Sequence, residues 1–207
     1  MQKRHTDRES YFDEQSQTSK NYYIPYIKEV IGHIPDKVLE VGCGEGGNLL
    51  PFAKAGCRVM GVDIDAMRIE QARTFFTQRH QQGQFIATDI FQLEDKATNF
   101  PLILLHDVIE HIRDKERFLS GLQKHLSADG AVFVGFPAWQ MPFGGHQQIA
   151  HSHIVSHFPF LHLLPRTLYR WILRLCGEQD GATGYKEHRM HHRTVQSHRP
   201  ASQLSNH

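Results

Sequence analysis

The feature that most constrains this chain is an apolar segment that runs directly into a glycine-rich turn, at residues 38–48. Four glycines stand in that turn, at Gly42, Gly44, Gly46 and Gly47. Because glycine tolerates positive φ and has no Cβ, the turn can be tight and a ligand can approach its backbone. A helix that starts directly after the turn would direct its unpaired N–H groups and the positive end of its dipole at that ligand. The segment therefore predicts a nucleotide-type site at the end of a first strand.

These glycines fit two kinds of nucleotide ligand. Gly42, Gly44 and Gly47 satisfy the G-x-G-x-x-G pattern of dinucleotide-binding folds, which is a weak signal by itself. Gly42, Gly44 and Gly46 equally satisfy G-x-G-x-G, with Glu40 in the strand before them. A carboxylate there suits a ligand that carries an ammonium and a sulfonium, whereas it would repel a pyrophosphate. Glu40-x-Gly42-x-Gly44 resembles motif I of the class I S-adenosylmethionine-dependent methyltransferases, so we expect S-adenosylmethionine as the cofactor.

The rest of the chain alternates predicted strands and helices. Apolar runs predict five strands, at Lys37–Val41, Arg58–Asp63, Gln84–Ile90, Pro101–Asp107 and Ala131–Phe136. Helices are predicted between them, over Asn48–Ala55, over Ala66–His80 and along the stripe Leu119, Leu122 and Leu126. This alternation predicts an α/β fold with a doubly wound, mostly parallel sheet and right-handed crossovers. The resemblance implies the Rossmann-like methyltransferase fold, whose usual sixth and seventh strands have no counterpart in this sequence.

Two acidic residues at predicted strand ends extend the site. Asp63 lies 21 positions after Gly42, where a carboxylate can accept both ribose hydroxyls; the alternative is an exposed acid at a strand end. Asp89 resembles the family's adenine-reading acid, and its alternative role is to cap a helix or turn. The resemblance implies a set of cofactor-binding residues, namely Glu40, Gly42, Gly44, Asp63, Ile64, Asp89, Ile90 and His106.

The segment Asp107–Ile112 resembles motif IV of the small-molecule methyltransferases typified by the ubiquinone and menaquinone biosynthesis enzymes. Some methyltransferases with a Glu-x-x-Glu-His version of this motif bind a divalent ion. Here the first position is Asp107, and the ordinary motif contains Glu-His without a metal. We therefore predict no metal site, either here or at the histidines of residues 146–157. His146 is the candidate general base, because an imidazole takes a proton near neutral pH; the alternative is a loop histidine bonded to backbone.

The chain divides into four predicted segments. Residues 1–36 hold a polar stretch, expected to lack fixed structure up to residue 20, and then a helix that lies over the cofactor or packs on the sheet edge. Residues 37–137 form the cofactor-binding α/β domain. Residues 138–180 form a substrate or lid insertion, in which Trp139–Gln148 and the helix near Tyr169 would build the acceptor pocket. The histidine-rich residues 181–207 form a disordered, metal-binding or frameshifted tail, and we favour a frameshift because apolar residues are almost lacking there.

The insertion includes an amphipathic helix with a basic stripe at Arg166, Arg170 and Arg174. Three interpretations fit this pattern. The helix is a lid with a solvated basic face, part of a pocket for a lipophilic or anionic acceptor, or an interfacial membrane helix.

Composition narrows the function classes. Lys and Arg together number 23 and Asp and Glu 22, so there is no electrostatic case for nucleic-acid binding. No stretch approaches the ~20 consecutive apolar residues of a membrane span, and the first ten residues lack the apolar core of a signal peptide. The three cysteines match no metal spacing and predict reduced thiols in a cytoplasmic protein. The oligomeric state is not predicted.

We therefore predict an enzyme that transfers a methyl group from S-adenosylmethionine to a small-molecule acceptor. One alternative is an NAD(P)-linked oxidoreductase, for which we find no Tyr–Lys or similar pair after the fourth predicted strand. The other is a non-catalytic cofactor-binding domain with a degenerate C-terminus.

Overall fold

Five parallel strands form one sheet in the computed structural model, which describes residues 7–93, 98–136, 141–142 and 150–178 of the chain. The strands are β1 Lys37–Val41, β2 Arg58–Asp63, β3 Gln84–Ala87, β4 Phe100–His106 and β5 Leu126–Gly135. Their order across the sheet is β3-β2-β1-β4-β5, and every neighbouring pair runs parallel. The chain moves outward from β1 in both directions, so the predicted doubly wound α/β fold is confirmed.

The central strands are covered on both faces, as their continuous apolar sequence predicts. Val38 and Leu104 belong to the core on one face, and Leu39 and Ile103 belong to the core on the other face. β1 and β4 are neighbours, with Val41 paired to Leu105. Because connections leave these two strands toward opposite sides of the sheet, a crevice opens beside their carboxyl ends, where such folds bind ligands.

Helices follow the strands in sequence. They are α3 Leu50–Lys54, α4 Ala66–Gln78 and α5 Lys115–Leu122, and α6 His153–His157 and α7 Arg166–Leu175 follow β5. The predicted helical stripe, which ends at Asp129-Gly130, is wrong beyond Leu122, because α5 stops there and Leu126 begins β5. There Leu126 pairs with Phe100, and the ladder is irregular between Phe100 and Leu102. The helical spacing of the three leucines could not show that Leu126 belongs to a strand, because its partner Phe100 lies in β4.

Helical structure also precedes β1. α1 covers Arg8–Thr18, a π-helical turn covers Ser19–Tyr23, and α2 covers Ile24–Ile31. The expected lack of fixed structure is therefore wrong for residues 7–20. Phe12 is fully buried, with its ring 5.0 Å from that of Phe75. The polar sequence concealed this helix because Phe12 is its one buried apolar side chain, while Glu9 and Asp13 form ion pairs with Arg79.

The segment 150–178 has a small core of its own. Val155, Leu161, Tyr169 and Leu173 are buried together. The predicted acceptor loop Trp139–Gln148 lies outside the described residues except for Met141 and Pro142, and so does His146. The tail from residue 179 onward is likewise outside them, and no sixth or seventh strand lies within the described ranges. None of the helices that the structure describes is long and apolar enough to cross a membrane.

Candidate cofactor site

Glu40 lies near the carboxyl end of β1 and is 1% exposed. Its Oε1 accepts a hydrogen bond of 2.8 Å from Asn48 Nδ2. Burial raises the pKa of Glu40 to about 8, and the charge of Asp63 adds to this shift, while the Asn48 bond and Arg68 oppose it. Within the described ranges, Glu40 Oε2 and Asn48 Oδ1 are buried without a hydrogen-bond partner. Buried polar atoms are normally paired, so this position fits a ligand that brings a donor and a positive charge.

The glycine-rich turn follows directly and joins β1 to the helical segment that includes α3. Gly42, Gly44 and Gly46 have φ angles of +72°, +53° and +82°, a region that residues with a Cβ rarely occupy. A Cβ on Gly42 would overlap Val108, and one on Gly44 would overlap the Arg68 guanidinium. The backbone conformation thus requires glycine at all three positions, and at Gly42 the packing of Val108 requires it as well.

Asp63 ends β2 beside this turn and is 8% exposed, so the alternative of an exposed strand-end acid is wrong. Its Oδ2 accepts from the Gly44 N–H at 2.8 Å, and its Oδ1 accepts from the Asp65 N–H at 2.9 Å. A carboxylate has about four lone-pair sites on its two oxygens. Two backbone donors therefore fix its orientation and leave capacity for ribose hydroxyls.

The next strand ends form a more exposed rim. Asp89 is exposed, and its Oδ1 caps the short helical turn Ile90–Gln92 by accepting from the Phe91 N–H at 3.0 Å. The capping role is therefore present, and it leaves the second carboxylate oxygen for a ligand. Ile90 is buried in the core, whereas Ile64 is 82% exposed. Ile64 thus presents an apolar side chain to solvent directly after Asp63.

His106 ends β4 on the other side of β1 and meets the N-terminal segment. Its ring lies 5.7 Å from that of Tyr23, and its Nδ1 lies 3.8 Å from an Asp107 carboxylate oxygen. Burial, with the charges of Asp107 and Glu40, raises the pKa of Tyr23 to about 12. Tyr23 thus lies near the carboxyl ends of β1 and β4, while Ile27 of the same segment packs in the core. The segment therefore packs against the sheet, and its placement over the cofactor stays a prediction.

Sequence reasoning missed a fully buried carboxylate inside the turn. Glu45 is 0% exposed and accepts from Arg68 Nε at 3.1 Å and Arg68 Nη2 at 2.8 Å. Arg8 Nη1 of α1 lies 3.2 Å from Glu45 Oε1. Although burial disfavours the charged form, the hydrogen bonds and charge of Glu45 raise the pKa of Arg68. The available signal was an acid between two turn glycines together with an arginine in α4, the helix that follows β2.

The residues weighed for metal binding that the structure describes form no metal-binding group. The described ranges contain no group of three or more His, Cys, Asp or Glu side chains placed to hold a metal ion. His153 and His157 stack ring on ring at 4.0 Å on the short helix α6. Cys43 and Cys57 are buried free thiols.

Comparison with known proteins identifies the part of the chain that carries this site. Residues 39–132 match the family model described as "Methyltransferase domain". This part of the chain is therefore similar to methyltransferase domains. The match confirms the resemblance drawn from the glycine-rich turn, and it contains every predicted cofactor residue.

Two curated relatives are the ubiquinone biosynthesis O-methyltransferases of Bartonella quintana (strain Toulouse) and Brucella ovis. The first is 33% identical over 118 residues, which cover 55% of this chain and 48% of the relative. The second is 32% identical over 98 residues, which cover 47% of this chain and 40% of the relative. The chain thus spans about half the length, or less, of these relatives.

Solved structures confirm the fold. The plantazolicin methyltransferase BpumL, in complex with a monoazolic desmethylPZN analog and SAH, superposes with a TM-score of 0.52 at 22% identity, covering 64% of this chain and 50% of that one. A protein from Pyrococcus horikoshii OT3 superposes with a TM-score of 0.51 at 24% identity, covering 58% of this chain and 56% of that one.

Proposed function

We propose that this chain transfers a methyl group from S-adenosylmethionine to a small-molecule acceptor. The observation that carries the proposal is Glu40, a buried carboxylate at the end of β1 with one oxygen left without a partner among the described residues. An ammonium would supply both the missing hydrogen bond and the opposite charge. The pyrophosphate of a dinucleotide would add a second negative charge to the same place, which argues against an NAD(P)-linked oxidoreductase. The methyltransferase domain match and the names of the relatives support the same choice.

Each predicted cofactor residue has a role in this proposal. Glu40 binds the ammonium of the methionyl part, and the backbone at Gly42, Gly44 and His106 holds the rest of that part. Asp63 accepts the two ribose hydroxyls. The adenine lies at the rim formed by Asp89, Ile90 and Ile64. When bound, S-adenosylmethionine supplies an electrophilic methyl group on its sulfonium, and the protein supplies orientation and exclusion of water.

For the acceptor, we propose a lipophilic molecule that is methylated on oxygen. The relatives are named as O-methyltransferases of ubiquinone biosynthesis. The segment 150–178 exposes Trp171, Leu175 and Phe158, which can contribute an apolar surface for such an acceptor. His146 stays the proposed general base, on its position in the sequence alone. The free thiols support a reducing compartment such as the cytoplasm.

The proposal is tested first by a thermal-shift panel of S-adenosylhomocysteine, NADH and NADPH. A ligand that binds only the folded state at 100 times its Kd adds about 2.7 kcal/mol to the free energy of unfolding. For a domain of this size this raises Tm by roughly 5–10 °C. We expect that shift with S-adenosylhomocysteine, and stabilisation by NADH or NADPH alone would overturn the proposal.

Turnover is tested next by transfer of a labelled methyl group to phenolic and catecholic acceptors with apolar side chains. Labelled product that depends on acceptor and protein is the expected result. Tight S-adenosylhomocysteine binding without transfer to any acceptor would favour the non-catalytic alternative.

A further inference from the structure

Helix α1 precedes the segment that matches the methyltransferase domain, yet it closes the outer side of the glycine-rich turn. Arg8 Nη1 lies 3.2 Å from Glu45 Oε1. The Phe12 carbonyl oxygen lies so close to Gly47 that a Cβ there would be 2.5 Å from it. Just after α1, the Ser19 hydroxyl donates to the Asn48 carbonyl oxygen at 2.8 Å. Residues 8–19 therefore contact the second half of the turn, from Glu45 to Asn48.

The contact of Glu45 with two arginines is unusual for a turn, because the carboxylate is fully buried. The Glu45 side chain is wholly removed from solvent and is paired with Arg68 and Arg8. Removing a carboxylate from water is costly, and a buried ion pair adds little net stability compared with apolar packing of the same volume. A stability gain alone therefore does not account for a buried acid here. Its geometry indicates a different role.

That role follows from what Arg68 touches. The two hydrogen bonds to Glu45 fix the plane of the guanidinium, and Arg68 Nη2 fills the space where a Cβ on Gly44 would lie. The Gly44 N–H in turn donates to Asp63 Oδ2 at 2.8 Å. A chain of direct contacts thus runs from Glu45 through Arg68 and Gly44 to the carboxylate proposed to bind ribose.

We propose that Glu45 is a positioning residue of the cofactor site and that Arg8 makes α1 a part of that site. The inference rests on the proposed function for the identity of the ligand. Glu45 holds Arg68 against Gly44, which keeps the Gly44 amide on Asp63 and so fixes the direction of the Asp63 carboxylate. Without the Glu45 carboxylate, Arg68 loses its anchor and the turn samples backbone arrangements in which Asp63 is misdirected.

The test compares variants that break this chain with a matched variant that does not. Glu45→Gln keeps the size of the side chain and removes its charge, and Arg8→Ala removes the contact from α1. Arg79→Ala is the control, because Arg79 joins α4 to α1 through Glu9 and Asp13 without touching the turn. We measure the Kd of S-adenosylhomocysteine by titration calorimetry, well below the Tm of every variant.

We expect Glu45→Gln to raise the Kd about tenfold and Arg8→Ala to raise it roughly threefold, since hydrogen bonds to charged groups are lost. Arg79→Ala should leave the Kd within about twofold. If Glu45→Gln fails to fold, Arg68→Lys replaces it, because it keeps the charge and loses the two-pronged contact. Wild-type affinity in Glu45→Gln or Arg68→Lys, or an equal loss in Arg79→Ala, would overturn the inference.

A second readout separates positioning from a general loss of stability and needs no ligand. Hydrogen exchange at the Gly44 amide should become faster in Glu45→Gln, while exchange at core amides such as that of Leu104 stays as in the wild type. A uniform acceleration at both amides would show that Glu45 only stabilises the fold. If the wild type does not bind S-adenosylhomocysteine, the proposed function fails, and this exchange measurement still decides the role of Glu45.

Discussion

The two ends of the candidate cofactor site are built differently. At the β1–β2 end, Glu40 is 1% exposed and Asp63 is 8% exposed, and both accept hydrogen bonds from the protein. At the β3 rim, Asp89 is exposed with one backbone partner, and Ile64 is 82% exposed. The protein itself therefore holds the side chains of the first end in place, whereas we expect those of the second end to gain most of their contacts from the ligand. We therefore expect substitutions at the β1–β2 end to reduce ligand affinity more than substitutions at the rim.

The largest effect is expected at Asp63. Asp63→Ala removes a charge-assisted bidentate acceptor, so the Kd of S-adenosylhomocysteine should rise roughly 10–150-fold, for a loss of about 1.5–3 kcal/mol. It also leaves the Gly44 and Asp65 N–H groups without their acceptor, so the free energy of unfolding should fall by about 1–3 kcal/mol. Titration calorimetry and denaturant unfolding measure the two effects.

Asp63→Asn is the matched variant, because it keeps one acceptor oxygen and loses the charge. Its affinity should lie between those of the wild type and Asp63→Ala. Unchanged affinity in Asp63→Ala would show that ribose binds elsewhere.

Glu40 should show the next effect, together with a pH dependence. Its pKa of about 8 in the folded chain lies above its ordinary value of 4.5, so between these values the folded state binds more protons than the unfolded state. The contribution of Glu40 to the free energy of unfolding therefore falls as pH rises from 4.5 through 8. Glu40→Gln removes this term, and its stability relative to the wild type should be greater at pH 8 than at pH 5.

Denaturant unfolding of both proteins across that pH range tests the sign. Glu40→Gln should also raise the Kd of S-adenosylhomocysteine roughly tenfold near pH 8, since the ammonium loses its counter-charge. A stability difference that is the same at pH 5 and pH 8 would contradict the assignment of a raised pKa to Glu40.

A smaller effect is expected at Asp89. Asp89→Ala removes an exposed acceptor and a cap, so the Kd of S-adenosylhomocysteine should rise about two- to fivefold and the free energy of unfolding should fall by about 0.5 kcal/mol. Asp114→Ala is the control, because Asp114 caps α5 by accepting from the Arg117 N–H at 3.0 Å and belongs to no predicted site. Equal affinity losses in the two variants would show that Asp89 does not contact the adenine.

The smallest effect is expected at Ile64. Because its side chain is mostly exposed, Ile64→Ala should leave the free energy of unfolding within about 0.5 kcal/mol of the wild type. The same change should raise the Kd about threefold, because less apolar surface is buried against the adenosine. Met67→Ala, at a similarly exposed position on α4, should change neither quantity. A tenfold loss of affinity in Ile64→Ala would show that the rim contributes as much to ligand binding as the β1–β2 end.

Local patterns were sufficient where a residue's role depends on its neighbours in sequence. The bounds of β1 and β2 agree with the structure, because short apolar runs bounded by glycine and acidic residues identify buried strands. The positions of Glu40 and Asp63 at strand ends follow from the same pattern. Helix α1 was missed because its packing depends on Phe12 meeting Phe75, 63 positions along the chain.

The sequence by itself therefore determined the parallel α/β fold and the presence of a glycine-rich turn between two acidic strand ends. It did so because hydrophobic periodicity and glycine backbone freedom act over a few residues. Only the tertiary structure decided that Arg68 fills the space beside Gly44, that Glu45 is buried between two arginines, and that Glu40 keeps an oxygen without a partner among the described residues. Those facts depend on burial and on contacts between segments that are distant in sequence, and local sequence patterns predict neither.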